Sequence, residues 1–143
     1  MSEVLVASIR ELCVDDHGGD LAAVARWTAN KTPDEIARML AAPGTEMFVA
    51  ERDGVVAAVG CIVGTAEIGL NYVHPDHRFR GVSKALLEAM EETIGARGAR
   101  EAALVSTATA HRFYLAAGWE DAGEPEPRFG MTCFSMRKSL RGQ

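Results

Sequence analysis

Two apolar runs that flank a turn dipeptide form the clearest pattern along the chain. They occupy Met47 to Val63 and meet at Asp53-Gly54. Asp-Gly tolerates the positive φ angles of a tight primed turn, so this segment predicts a β-hairpin.

Three segments carry the signals of helices. Apolar residues recur every four positions from Val82 to Ile94, which predicts a helix with one buried face and a stop at Gly95 or Gly98. Thr32 and Pro33 begin a second helix, because threonine caps a first turn and proline suits its first position. A third helix is predicted to begin at Ala110 and to end at Gly118.

The remaining apolar segments complete a mixed sheet. We predict strands at Val4–Leu12, Glu67–His74, Glu101–Thr107 and Gly130–Leu140, and a further helix at Leu21–Asn30. The order is strand, two helices, three strands, helix, strand, helix, strand. A crossover from Glu67 to Thr107 requires two parallel strands, while the hairpin makes the rest antiparallel. The fold class is therefore α/β, a mixed, mostly antiparallel sheet with one parallel pair and helices on both faces, in a single domain over 1–143.

Composition and net charge limit the kinds of molecule that the protein could bind. The 143 residues carry a formal net charge of -5, which argues against nucleic-acid binding. Three dispersed cysteines form no CxxC pair and no zinc spacing, so we expect reduced thiols, no metal and a cytoplasmic protein. Neither a signal peptide nor a membrane span is expected, because no sufficiently long apolar run occurs.

Local positive charge gathers before the helix at Val82. Arg78, Arg80 and Lys84 surround Gly81, which lets the loop turn tightly beside the unpaired N–H groups of a first helical turn. Such a combination favours an anion, above all phosphate. An ordinary basic loop is the alternative. The nucleotide-binding pattern GxxxxGK[ST] and the dinucleotide pattern GxGxxG are both absent.

Two motifs here resemble those of the GNAT superfamily of N-acetyltransferases. The first motif has the form [Q/R]-x-x-G-x-[G/A]. Arg78 to Ser83 match it except at the last position, where Ser83 stands in place of glycine or alanine. Serine is still small, so close approach to the backbone should be retained. The second motif is matched by Ala110, Phe113, Tyr114, Gly118 and Trp119. The two motifs stand in the family's order, and the resemblance covers nearly the whole chain.

The resemblance implies an acetyl-CoA site. The loop and helix start would hold the CoA pyrophosphate, largely through main-chain N–H groups, at Arg78, Phe79, Arg80, Gly81, Val82, Ser83 and Lys84. The preceding strand carries a bulge in the family. Its backbone at Tyr72 and Val73 would pair with the pantetheine arm and polarise the thioester carbonyl. Thr107 and Phe113 are further cofactor-binding candidates.

The resemblance also implies two catalytic side chains. Tyr114 matches the position of the general acid for the CoA sulfur, and Glu67 matches a frequent position of the base, acting directly or through water. A half-buried core aromatic and a solvated strand-end charge are the respective alternatives. His74, whose "HPD" context reads as a turn, is a weaker candidate for the base.

The function so implied is transfer of an acetyl group from acetyl-CoA to a primary amine of a small molecule or protein. The alternative is a non-catalytic acyl-CoA-binding sensor or interaction module. Neither a nucleic acid nor a membrane is expected as partner, and pairing of two copies through an edge strand is left open.

Overall fold

The computed structural model describes residues 2–12, 25, 28–29, 32–77, 81–128 and 131–140. Its helices are α1 (Ser2–Leu12), α2 (Pro33–Ala41), α3 (Val82–Ala96) and α4 (Ala108–Ala116), with a 3₁₀ turn at Pro75–His77. Its strands are β1 (Thr45–Arg52), β2 (Val55–Val63), β3 (Glu67–Val73), β4 (Glu101–Thr107), β5 (Glu120–Asp121), β6 (Glu126–Arg128) and β7 (Met131–Ser139).

One mixed sheet organises these elements. The strand order is β1-β2-β3-β4-β7-β5, and β6 also pairs with β7. The β3–β4 pair is parallel, and the remaining described pairs are antiparallel. The predicted mixed sheet with one parallel pair is thus confirmed.

The hairpin and the helix start at Thr32 form as their sequences predict. Arg52 pairs with Val55 across a turn in which Asp53 and Gly54 have φ values of 54° and 81°. The Thr32 hydroxyl accepts a hydrogen bond from the Glu35 N–H at 3.2 Å, which caps α2.

The first element differs from its prediction. Val4–Leu12 was expected to form a strand, but Ser2–Leu12 is a helix. Val4 and Leu5 are buried, and so are Ser8 and Ile9 four residues later. That spacing places all four on one helical face, whereas alternation would place Val4 and Leu5 on opposite faces. The spacing outweighs the β-branched composition.

The helix predicted at Leu21–Asn30 lies largely outside the described residues.

Helices cover both faces of the sheet, as predicted. On one face, Leu87, Met90 and Ile94 of α3 pack with Ile62 and with residues of β3, β4 and β7. On the other face, Val4 and Leu5 of α1 and Ile36 of α2 pack against Val59 and Leu70. Among the described residues, no helix combines the length and apolar character needed to cross a bilayer.

Strand β3 contains a bulge at Gly69. Cys61 and Ile62 are neighbours on β2, but their partners are Leu70 and Ile68, so Gly69 is the additional residue. Ile68 consequently packs with α3, and Leu70 packs with α1. The bulge reverses which face each later residue of β3 occupies.

Strands β3 and β4 separate soon after they meet. Their register contains two pairs, Glu67 with Ala103 and Ile68 with Leu104. Beyond these pairs a small cavity lies between the strands, lined from both sides by Asn71, Ser106 and Thr107 among others. This separation opens the sheet at the place where the motif residues converge.

Candidate active site

A cleft with a volume of about 370 Å³ lies where β3 and β4 diverge and α3 begins. It draws residues from α1, β3, the start of α3, the end of β4 and α4. The lining residues are Ser8, Asn71, Tyr72, Val73, Gly81, Val82, Ser83, Lys84, Thr107, Thr109, Ala110, Phe113 and Tyr114.

Many of the predicted site residues therefore lie together. The main-chain candidates Tyr72 and Val73, the helix start from Gly81 to Lys84, and Thr107, Phe113 and Tyr114 all line the cleft. Arg78, Phe79 and Arg80 lie outside the described residues.

The beginning of α3 presents main-chain donors to the cleft. Gly81 occupies the N-cap position with φ 74°, and no side chain among the described residues caps this end. The first helical hydrogen bond runs from Ala85 N–H to the Gly81 carbonyl at 3.0 Å. The N–H groups of Val82, Ser83 and Lys84 precede it and have no acceptor within the helix. Together with the positive end of the helix dipole, they suit an anion.

Tyr114 is one of the buried residues that line the cleft. Its side chain is buried, with 5% of the residue exposed, and its ring makes edge contacts with Phe113 and Trp119. Its hydroxyl oxygen accepts a hydrogen bond from Asn71 Nδ2 at 3.1 Å. Burial raises the pKa of Tyr114 to about 12, although the hydrogen bond from Asn71 lowers it. The phenol therefore keeps its proton at neutral pH.

Thr107 connects the cleft to the beginning of α4. Its side-chain oxygen accepts a hydrogen bond from the Ala110 N–H at 3.3 Å, which makes Thr107 the N-cap of α4. α4 therefore begins at Ala108, two residues before the predicted start. The cap fixes the first turn of the helix that carries Tyr114.

Glu67 and His74 stand apart from this group. Glu67 is the exposed first residue of β3 and is not among the residues that line the cleft. It precedes the Gly69 bulge and Asn71 follows it, so the two side chains do not share a face by simple alternation. His74 Nδ1 accepts the Asp76 N–H at 3.1 Å, in agreement with the turn predicted at "HPD".

Ser8, Asn71 and Thr109 also line the cleft, and sequence reasoning did not assign them to the site. Asn71 is the most informative, because its Oδ1 is a buried oxygen without a hydrogen-bond partner in the described part of the chain. The glycine inside β3 was an available signal, since strand glycines often mark bulges. Ser8 was missed because its segment was predicted as a strand.

The chain belongs to the acetyltransferase (GNAT) domain family, whose model matches residues 13–140. The fold and the positions of the two motifs agree with that membership.

A relative and two solved structures illustrate the similarity. Mycothiol acetyltransferase from Kineococcus radiotolerans is 34% identical over 110 residues, which cover 72% of this chain and 36% of the relative. The match thus spans about a third of that protein. A GCN5-related N-acetyltransferase from Rhodopseudomonas palustris superposes with a TM-score of 0.85 at 27% identity, over 96% of this chain and 86% of that one.

A more distant structure shares the fold. The PaiA N-acetyltransferase from Thermoplasma acidophilum, solved with coenzyme A, has a TM-score of 0.73 at 18% identity, over 96% of this chain and 92% of that one.

Proposed function

We propose that the protein transfers an acetyl group from acetyl-CoA to a primary amine, and that 1–143 acts as a single acetyltransferase domain. One observation carries the proposal: a single cleft brings together the open start of α3, the end of β3 and the Tyr114 hydroxyl. An anion site, a main-chain edge and a proton donor are the parts that this reaction requires.

The described residues fit the cofactor. A Cβ built on Gly81 would meet none of the described residues within 4 Å, so these residues leave the space beside the first N–H groups of α3 open. Asn71 Oδ1 is a buried acceptor with no partner in the part of the chain that the structure describes, as expected of a site built for a polar ligand. When bound, acetyl-CoA supplies an acetyl group activated as a thioester.

The start of α3 is proposed to bind the pyrophosphate. The N–H groups of Val82, Ser83 and Lys84 would donate to its oxygens, and the ammonium of Lys84 adds a full positive charge. Arg78 and Arg80, three residues and one residue before Gly81 in sequence, are proposed to add further charge.

The backbone of β3 is proposed to hold the pantetheine arm. A main-chain N–H at Tyr72 or Val73 would donate to the thioester carbonyl oxygen, where negative charge develops during attack. Donors of this kind lower a barrier by about 2–4 kcal/mol. Thr107 and Phe113 would line the same channel.

Tyr114 is proposed to donate its proton toward the sulfur. With a pKa of about 12, the buried phenol is a weaker acid than an ordinary thiol. A thiol has a reference pKa of about 8.5, so the hydroxyl stabilises the developing thiolate by a hydrogen bond more readily than by complete proton transfer.

The amine must reach the site in its neutral form. Glu67 stays a prediction for the base, and because it does not line the cleft it would have to act through water.

Thiol release from acetyl-CoA tests the proposal directly. The panel would contain polyamines, amino acids, aminoglycosides, peptides and amines related to mycothiol, and CoA binding would be titrated by calorimetry on the same sample. Turnover with one class of amine supports the proposal and identifies the acceptor. CoA binding without turnover would favour the sensor alternative, and failure to bind CoA would overturn the site.

A further inference from the structure

Asn71 lies beside Tyr114 because of the Gly69 bulge. Ile68 before the bulge and Val73 after it both pack on the α3 face, although simple alternation would place them on opposite faces. Asn71 alternates with Tyr72 and therefore shares the face of Val73. On that face its amide forms a hydrogen bond with Tyr114 of α4, which is 43 positions away in sequence.

The amide group fixes the direction of the Tyr114 hydroxyl. Asn71 Nδ2 donates to the phenol oxygen at 3.1 Å, so that lone pair is occupied and the hydroxyl proton must point elsewhere. Phe113 and Trp119 contact the ring at centroid distances of 5.3 and 6.0 Å and restrict its position. The proton is thereby directed away from Asn71 and is available to a group in the cleft.

The oxygen of the same amide, Asn71 Oδ1, accepts no hydrogen bond from the described residues. Asn71 Oδ1 is buried and has no hydrogen-bond partner among the described residues, while Asn71 lines both the cleft and the smaller cavity between β3 and β4. A buried acceptor without a donor is unfavourable, so the N–H of a ligand is the expected partner of Asn71 Oδ1. A neutral carbonyl oxygen suits the N–H of an uncharged amine, whose lone pair stays free to attack.

We propose that Asn71 positions both reacting groups: its N–H fixes the Tyr114 hydroxyl, and its Oδ1 accepts a hydrogen bond from the acceptor amine. This inference rests on the proposed function. It gives Asn71, a residue outside both sequence motifs, a positioning role in the reaction.

The contact with Tyr114 can be tested on the free protein. The chain has two tyrosines, so ¹³Cζ-tyrosine NMR gives two signals, and the spectrum of Tyr72→Phe assigns them. In the parent, Tyr114 should begin to ionise on approach to a pKa of about 12. In Asn71→Leu it should begin at higher pH, because the donor to the phenolate is lost. Identical titration curves would overturn this half of the inference.

The contact with the amine is tested kinetically with the most active amine of the panel. Asn71→Asp keeps an acceptor oxygen and loses the donor, so kcat should fall by about 10-fold or more while the KM for the amine stays within about 3-fold. Asn71→Leu loses both atoms, so this KM should also rise by about 10-fold. An unchanged amine KM in Asn71→Leu would contradict the contact.

Two controls separate the causes. Calorimetry should give each variant a CoA affinity within about 3-fold of the parent, which establishes folding, and the isosteric Asn71→Asp keeps the test available if Asn71→Leu does not fold. In a Tyr114→Phe background, Asn71→Asp should reduce kcat by no more than about 2-fold further, and full multiplication of the two losses would count against action through Tyr114.

Absence of turnover with every amine would overturn the proposed function and the amine contact, while the tyrosine titration would still test the other contact.

Discussion

At the scale of single residues, the Tyr114 phenol shows how burial sets a chemical property. The side chain lies among Phe113, Trp119 and Asn71, and desolvation raises its pKa from 10.0 to about 12. The unfolded phenol ionises near its ordinary value. Between these two values the unfolded chain has lost a proton that the folded chain retains.

The free energy of unfolding should therefore fall in this range of pH. The comparison is with Tyr114→Phe, which keeps the ring and shares the other titrating groups. The stability difference between parent and variant should decrease by about 1 kcal/mol as pH rises from about 9 to about 11. Urea unfolding at both values measures it, and a constant difference would contradict the raised pKa.

Single residues were predictable where a local motif carried them. Gly81, Phe113 and Tyr114 stand in short patterns, so their convergence could be expected from sequence. Asn71 could not be placed in the same way, because its orientation depends on which residue of β3 is the additional one in the pairing with β2. That choice is made by contacts across the sheet.

At the scale of elements, the start of α3 combines an open backbone with a positive dipole end. Gly81 and Gly98 lie just beyond the two ends of this helix, with φ values of 74° and 90°. A Cβ at either would meet no described residue within 4 Å. They form a matched pair for testing the proposed phosphate site.

Gly81→Glu and Gly98→Glu should each lose about 1–2 kcal/mol of stability, because an L-residue is strained at positive φ. Gly81→Glu should also weaken CoA binding by about 100-fold or more, since its carboxylate would lie where the pyrophosphate is expected, whereas Gly98→Glu should stay within about 3-fold. Thermal melting and calorimetry give both quantities. Equal CoA affinities would remove the phosphate site from the start of α3.

The bulge in β3 depends on a missing side chain. A Cβ at Gly69 would lie 2.8 Å from Val63 Cγ2 and 3.0 Å from Cys61 Sγ. Gly69→Ala should therefore cost about 1–3 kcal/mol of stability. Gly95→Ala is the control: its Cβ would meet nothing within 4 Å in the part of the chain that the structure describes, and alanine in a helix should add about 0.5–1 kcal/mol of stability. Urea unfolding compares the two, and similar stabilities would show that β3 accommodates the methyl group.

Elements were predictable where spacing and turn residues agreed. The hairpin, α3 and β4 satisfy both. In α1 the β-branched composition favoured a strand and the spacing favoured a helix, and packing against the sheet decided for the helix. β5 and β6 span two and three residues, too few to carry a periodic pattern.

At the scale of the whole molecule, a buried charge joins α3, β7 and the segment that follows α4. Glu91 of α3 accepts the Trp119 indole N–H at 3.2 Å and binds Lys138 of β7 at 2.7 Å, while Lys138 also donates to the Ala117 carbonyl at 2.8 Å. Glu91 and Trp119 are buried, and Trp119 contacts the Tyr114 ring. The group links the helix at the proposed phosphate site to the end of the helix that carries Tyr114.

Lys138→Met should destabilise the protein by about 3 kcal/mol, because it leaves the Glu91 carboxylate buried without its cation. Adding Glu91→Gln removes that charge and keeps an acceptor for Trp119, so the double variant should return to within about 1 kcal/mol of the parent. Urea unfolding of the parent, the two single variants and the double variant completes a double-mutant cycle. Additive losses of stability would show that Glu91 and Lys138 are not coupled.

The early separation of β3 and β4 should make the stability of the fold depend on what binds between these strands. Two register pairs connect one half of the sheet to the other, with α3 as the covalent link between them. A ligand in the gap would supply the missing cohesion and would bind the native chain alone, so occupancy should lower the fraction open to proteases. We expect amide exchange in β4 to slow when CoA is added. The amount of the protein that escapes proteolysis would then follow the concentration of CoA.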